Sequence, residues 1–185
     1  MTNNFMRTAL LALAILALPV SAMAQPVILV FDLDRAVAAS KAGKSMAKQL
    51  DSQVNKIRKE EESKIKKLQS EVDKLKEQQK LMAPEALQAK YSELQQQEIE
   101  RRQSLSERTQ AVQAGGQKAA AEIVKVAEKE LSDIAKERKA DIVMRRDAVF
   151  FASPAINVTQ ELVKRLDKQL SSVKVTPIAQ TKAKR

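Results

Sequence analysis

The side chains that could do chemistry in this chain are carboxylates, lysines, serines and a single tyrosine, because cysteine and histidine are both absent. Their absence excludes thiol catalysis, imidazole acid–base catalysis and Cys/His zinc sites. The remaining acids and bases follow helical patterns, and no glycine-rich phosphate loop is present among the 185 residues. We therefore predict that the protein is not an enzyme and needs no cofactor or metal.

Residues 1–24 have the pattern of a cleaved export signal. A short segment with Arg7 precedes an apolar run from Ala9 to Leu18, and residues 22–24 (Ala-Met-Ala) form a signal-peptidase site. The run is shorter than the roughly 20 residues that span a bilayer, which favours cleavage over an uncleaved anchor. The mature chain is thus expected to begin at Gln25 and to be exported from the cytoplasm.

Composition and charge narrow the class of protein. Trp is absent, Tyr occurs once, Phe four times and Gly three times, and 30% of the residues are charged, which is typical of long helices and coiled coils. The net charge of +10 favours acidic partners, namely nucleic acid, an anionic membrane surface or acidic polypeptides. Export removes nucleic acid from this set, and a possible anionic membrane surface remains.

Residues 45–138 have the periodicity of a long antiparallel helical hairpin. No Gly or Pro occurs from Ser45 to Leu81, and apolar residues recur there at spacings of three and four when Glu61 and Gln79 fill the gaps. Pro84 fits the first turn of a helix, so Met82 and Ala83 are predicted to form the tip. The apolar seam of the outgoing helix consists of Met46, Leu50, Val54, Ile57, Ile65, Leu68, Val72, Leu75 and Met82.

Two features of this hairpin each allow two interpretations. The polar stretches 56–64 and 95–104 face each other, either as a soft level of the arm with almost no seam contacts or as solvated faces of a rigid pair. Gly115 and Gly116 interrupt the returning helix, either as a hinge or because an Ala-rich stretch packs closely there.

Both ends of the mature chain contain strand patterns, so residues 25–44 and 139–173 are predicted to form a small β-sheet and helix body. The apolar run Val27–Phe31 reads as a strand, and a short helix capped by Asp34 follows and ends at Gly43. Residues 141–145 and 148–152 are predicted to form a β-hairpin, and a helix follows it. Residues 174–185 are basic and are predicted to be a disordered tail.

A sheet this small leaves open edges and apolar faces that need partners, and self-association into a closed barrel would cover them. We expect self-association in which the body residues meet. The candidate residues for this contact are Val27, Ile28, Leu29, Val30, Phe31, Ile142, Val143, Val149 and Phe150.

The order of these segments resembles the Skp/OmpH family of periplasmic chaperones. The resemblance covers the whole mature chain and is most specific at residues 141–170 (DIVMRRDAVFFASPAINVTQELVKRLDKQL). It implies a trimer with a nine-stranded barrel and three helical arms around a cavity, in which unfolded outer-membrane proteins are held without ATP. No catalytic motif is carried over.

Client contacts are expected at apolar residues outside the seam or at the tip, and Met82 and Ile99 are the candidates, although a plain structural role at the tip or surface is also open. The alternative function is a structural coiled-coil spacer of the cell envelope. A spacer shares the arm but does not explain strands at both ends of the chain.

Overall fold

The computed structural model describes residues 25–179, so the predicted export signal and the last six residues lie outside the described part. No helix within residues 25–179 is long and apolar enough to cross a membrane. The elements in chain order are β1 (Ile28–Phe31), α1 (Leu33–Ala39), α2 (Lys41–Gln78), α3 (Pro84–Glu137), β2 (Ile142–Arg145) and α4 (Thr159–Gln169).

Helices α2 and α3 form the predicted hairpin, which we call the arm. They contain 38 and 54 residues, so α2 alone is about 57 Å long. A 3-10 turn at Gln79–Leu81 ends the outgoing helix, Met82 and Ala83 are extended, and Pro84 occupies the first turn of α3. The prediction of a mainly α-helical protein with a long hairpin and a small sheet is confirmed, including the position of the tip.

The sheet differs from the prediction in its second strand. β1 pairs in parallel with β2, and Ile28 lies opposite Ile142. The predicted β-hairpin is wrong, because residues 146–148 form a 3-10 turn and residues 149–152 are not a strand. The other side of β1 carries a bridge from Val30 to Asn157, while the outer edge of β2 stays unpaired in the described chain.

The start of β2 is fixed by contacts to the N-terminal end of β1. Lys139 adopts a left-handed conformation with φ of 51° at the end of α3 and turns the chain back towards β1. The Val27 N–H donates to Asp141 Oδ2 at 2.7 Å, and the Asp141 N–H donates to the Val27 carbonyl at 2.8 Å. These reciprocal bonds join segments 114 residues apart and determine the parallel register.

We call the part of the protein around the sheet the body: β1, α1, β2, α4 and the ends of α2 and α3 that pack on them. Its core is apolar and closely packed, and burial of this kind supplies most of the stability of a fold. The largest fully buried apolar side chains of the described chain lie here: Val30, Ile123, Ile134, Leu162 and Leu166.

The junction of α1 and α2 corrects two predicted boundaries. Asp32, not Asp34, caps α1, and its Oδ1 accepts from the Arg35 N–H at 2.9 Å. Ser40 ends α1 and caps α2, and its Oγ accepts from the Gly43 N–H at 3.0 Å. Gly43 therefore lies inside α2 and ends no helix. A Cβ on it would stand 1.9 Å from the preceding helix's Val37 carbonyl oxygen, so the glycine is required by close approach.

The described part of the C-terminal tail also departs from the prediction. Residues 174–179 follow the arm in a non-helical conformation, and Val173 and Val175 are buried in the core cluster. The Ile178 N–H donates to the Ala111 carbonyl of α3 at 2.9 Å. The prediction of disorder is wrong for this part, because an apolar residue at every second position gives the segment a face that it can bury. We call residues 173–178 the C-terminal segment.

Candidate functional site

Most of the exposed large apolar side chains of residues 25–179 lie in two regions, near β2 in the body and along the arm. In the body, Phe150 is fully exposed, Phe151 is 77% exposed and Ile142 is about half exposed. Exposed aromatic side chains of this size are typical of interaction surfaces. Phe150 and Phe151 follow Val149, which ends the 3-10 turn, and they lie in a segment that forms no strand within the described chain.

The predicted trimer residues fall into two groups. Leu29, Val30 and Phe31 are buried in the core of their own chain and are therefore not available to a partner. Ile28, Val143 and Val149 are partly buried. The remaining predicted residues are exposed: Val27, Ile142 and Phe150. Phe151 was missed by the sequence reasoning, and the signal was its position beside Phe150 in an aromatic pair.

Along the arm, exposed apolar side chains are spread from the base to the tip instead of forming one patch. The predicted client residue Ile99 is 54% exposed. Met82 is half-buried and lines a groove with Leu75 and Leu94, while its neighbour Leu81 is 89% exposed. The structure thus places Leu81 outward at the tip, where sequence reasoning had singled out Met82. The exposed apolar residues of the arm are Val54, Ile65, Leu81, Tyr91 and Ile99.

A larger apolar groove lies between α2 and α3 close to the body. Its volume is about 560 Å³, and small side chains on α3 keep it open. Gly116 lines it, and a Cβ there would touch the Leu50 side chain at 3.0 Å. The α3 helix runs unbroken through both glycines, which are buried, so close packing explains them. The apolar residues of the groove are Leu50, Val54, Ile57, Val112 and Ala120.

The middle of the arm contains a charged cluster that joins the two helices. Glu61 occupies a seam position, its side chain is only 8% exposed, and it accepts from Arg101 Nη1 across the hairpin at 2.7 Å. Arg101 also pairs with Glu98 on its own helix at 2.8 Å, and Lys64 approaches Glu61 at 3.3 Å. Of the two interpretations of this level, the soft one with almost no seam contacts is contradicted, because a cross-helix ion pair replaces the apolar contact.

The carboxylates of this cluster stay ionised over a wide pH range. Burial raises the pKa of Glu61, but hydrogen bonds from Arg101 and Lys64 outweigh burial and hold the pKa below its usual value. Hydrogen bonds from Arg101 and Arg102 lower the pKa of Glu98 to about 2. A fully ionised, paired cluster of this kind fixes the register of the hairpin at a level where the seam has no apolar side chain.

Comparison with known proteins agrees with this architecture. Residues 27–166 match the model of the family described as "Outer membrane protein (OmpH-like)". None of the curated proteins compared with the chain matches it significantly. A crystal structure from Caulobacter crescentus CB15, described as an outer membrane chaperone (OmpH-like), has a similar fold with a TM-score of 0.80. It is 23% identical in sequence, and the match covers 86% of this chain and 94% of that one.

The family match spans most of the chain and includes both the body and the arm. The resemblance stated from residues 141–170 is thereby confirmed. This chain belongs to the OmpH-like family of outer membrane proteins.

Proposed function

We propose that the mature protein is an ATP-independent holding chaperone of the periplasm, in which three arms enclose unfolded outer-membrane proteins. Family membership and the fold of the OmpH-like chaperone from Caulobacter crescentus support this role. The protein acts by holding and not by chemistry. A structural spacer of the envelope is the alternative, and the experiment below separates the two.

The observation that carries this proposal is the distribution of exposed apolar side chains along the arm. Leu81, Tyr91 and Ile99 are exposed and lie eight to ten residues apart along the chain. Separate apolar points give contacts that are individually weak and are not tied to one client shape. Lys and Arg stems between them can cover further apolar surface while their charged ends stay in water.

The free edge of β2 and the exposed aromatic side chains of the body support the proposed trimer. Within the described chain the sheet has two strands, in the order β1–β2, so the outer edge of β2 remains free. An edge of this kind beside exposed aromatic side chains favours pairing with another chain. We propose that residues 149–152 pair with the sheet of a second copy and bury Phe150 and Phe151 there, so that three copies close a barrel.

Assembly is tested by replacing Phe150 and Phe151 with serine and measuring the mass in solution. We expect the double variant to remain folded and monomeric while the unmodified protein is a trimer. Val30→Asp is no test of assembly, since Val30 is buried in its own chain and the charge would unfold it. A monomeric mass for the unmodified protein at micromolar concentration would refute the trimer.

Holding is tested by light scattering with a denatured β-barrel outer-membrane protein as the client. We expect the mature protein to suppress aggregation, and to do so equally with EDTA and without nucleotide. A variant with Leu81, Tyr91 and Ile99 replaced by serine should suppress aggregation several-fold less well. The matched control replaces three exposed acidic residues of the arm with serine: Glu62, Glu77 and Glu100. Undiminished scattering with the unmodified protein would favour the spacer.

A further inference from the structure

The C-terminal segment is bound to α2 by side-chain amides that contact its backbone. Gln49 Nε2 donates to the Val173 carbonyl at 2.7 Å, and Gln49 Oε1 accepts from the Val175 N–H at 3.0 Å. One glutamine thus satisfies a carbonyl and an N–H two residues apart, as a neighbouring β-strand would. Both hydrogen bonds involve backbone groups of the segment, so they do not depend on the identity of its side chains.

The next glutamine on the same face of α2 repeats half of this arrangement. Gln53 Nε2 donates to the Val175 carbonyl at 2.9 Å, but Gln53 Oε1 is buried and has no hydrogen-bond partner. By the pattern of Gln49, its partner would be the N–H of residue 177. That residue is Pro177, which lines a cavity beside Gln53 and has no N–H to donate. The buried acceptor is therefore left unsatisfied by the chain's own sequence.

The spacing of Gln49 and Gln53 along α2 explains why they can make two successive contacts of this kind with an extended chain. Residues four apart on a helix are separated by about 6 Å along its axis, and residues two apart in an extended chain by about 6.6 Å. Gln49 and Gln53 therefore match successive alternate residues of any extended chain. A residue with an N–H at the third position would complete the second contact.

The side chains of the C-terminal segment alternate between buried and exposed, but they add little sequence selectivity to the backbone contacts. Val173 and Val175 are buried, while Lys174 and Thr176 between them are exposed. On the other side of the site, Gly115 lets the Thr176 carbonyl approach α3, since a Cβ there would stand 2.3 Å from that oxygen. The site thus accepts an extended segment with alternating apolar and polar residues, which is the pattern of a transmembrane β-strand.

We propose that this face of the arm, formed by Gln49, Gln53, Ala111 and Gly115, is a binding site for extended segments of unfolded outer-membrane proteins. Without a client the C-terminal segment occupies this site, and a client segment displaces it. Pro177 makes that occupant incomplete, so a client segment with an N–H at the matching position binds better than the tail. This inference rests on the proposed holding function and names the site at which that function acts on the backbone.

The test compares Pro177→Ala with the unmodified mature protein by hydrogen exchange at the Val175 and Ile178 amides. Alanine supplies the missing N–H to Gln53 Oε1, so we expect exchange at both amides to slow about fivefold, less than a full buried hydrogen bond because proline's rigidity is lost. Gln53→Met removes the acceptor, and in that background Pro177→Ala should give no slowing. If Pro177→Ala slows exchange in both backgrounds, or in neither, the proposed contact between Gln53 and residue 177 is wrong.

Adding the denatured β-barrel protein then tests displacement. We expect it to speed exchange at Val175 and Ile178 in the unmodified protein, and to do so several-fold less in Pro177→Ala, where the tail competes more strongly. Client held in solution with no change at these amides overturns the proposed site and leaves the holding function intact. If the client aggregates in the presence of every variant, the holding function itself is wrong. The exchange rates measured without client still test the contacts of Gln49 and Gln53 with the C-terminal segment.

Discussion

The body and the arm are stabilised in different ways. In the body, β1, α1 and α4 pack around fully buried Ile123, Ile134, Leu162 and Leu166. In the arm between residues 53 and 111, two described residues are buried, and one of them is the carboxylate Glu61. Apolar burial is thus concentrated where the chain ends meet, and the arm depends on scattered seam contacts and ion pairs. Local opening should therefore cost less free energy in the arm than in the body.

The strongest way to expose this difference is to remove one buried leucine from each region. Leu162→Ala should lower the free energy of unfolding by about 3–4 kcal/mol, since Leu162 is fully enclosed. Leu75→Ala should cost about 1–2 kcal/mol, because its site lies between two solvated helices that can relax. Chemical denaturation followed by circular dichroism measures both. Equal losses would mean that the arm relaxes around a lost leucine no more than the body does.

The cross-helix ion pair gives the next effect in size. Arg101→Leu leaves the buried Glu61 carboxylate with only Lys64, so we expect a loss of about 2 kcal/mol. The double variant Glu61→Leu/Arg101→Leu replaces the pair with an apolar contact and should recover most of that loss or exceed the unmodified stability. Thermal unfolding of the three proteins checks this. A double variant less stable than Arg101→Leu would show that the charges stabilise the arm beyond fixing its register.

The two adjacent glycines provide a smaller and closely matched comparison. Gly115→Ala should detach the C-terminal segment, because its Cβ would meet a backbone carbonyl. Gly116→Ala meets only the flexible Leu50 side chain and gains up to about 1 kcal/mol of helix propensity, so it should be neutral or stabilising. Proteolysis after Lys174 measures detachment. Equal cleavage of both variants would contradict the close approach at Gly115.

Acid should weaken the middle of the arm before the core strand β1. The pKa of Glu61 and Glu98 is lowered in the folded chain, so their stabilisation is complete above the usual value of 4.5 and is lost as the pH falls through the lowered values. For Glu98 that window extends down to about pH 2. We expect hydrogen exchange at residues 56–64 and 95–104 to accelerate in this window while exchange in β1 changes little. Simultaneous loss of both regions would contradict a separate arm.

The sequence predicted the arm, its tip and the family because those depend on local patterns. Spacings of three and four and Pro84 determine a hairpin without reference to the rest of the chain. The parallel pairing of β1 with β2 was missed because it joins residues 114 apart, and Arg146-Asp147 between two strand-like runs favoured a local hairpin instead. A single-chain pattern carries no signal for which distant strand is the partner.

Two further misses share a cause. The basic composition of the tail favoured disorder, although Val173 and Val175 had the alternation of a segment with one buried face. Glu61 was treated as a gap in the seam, whereas it pairs with Arg101, forty residues away in sequence. In both cases a few polar contacts across the arm outweighed composition. Polar contacts of this kind can be predicted only once the register of the hairpin is known.

Hydrogen exchange of the mature protein with and without a denatured β-barrel client tests the account most directly. We predict that client binding slows exchange along the arm, at residues 54–66 and 81–99, and leaves Val30 and Leu162 in the body unchanged. Val30 and Leu162 are already fully buried, so a client has nothing to add there. Protection that appears in the body and is absent from the arm would contradict a chaperone that holds its clients with its arms.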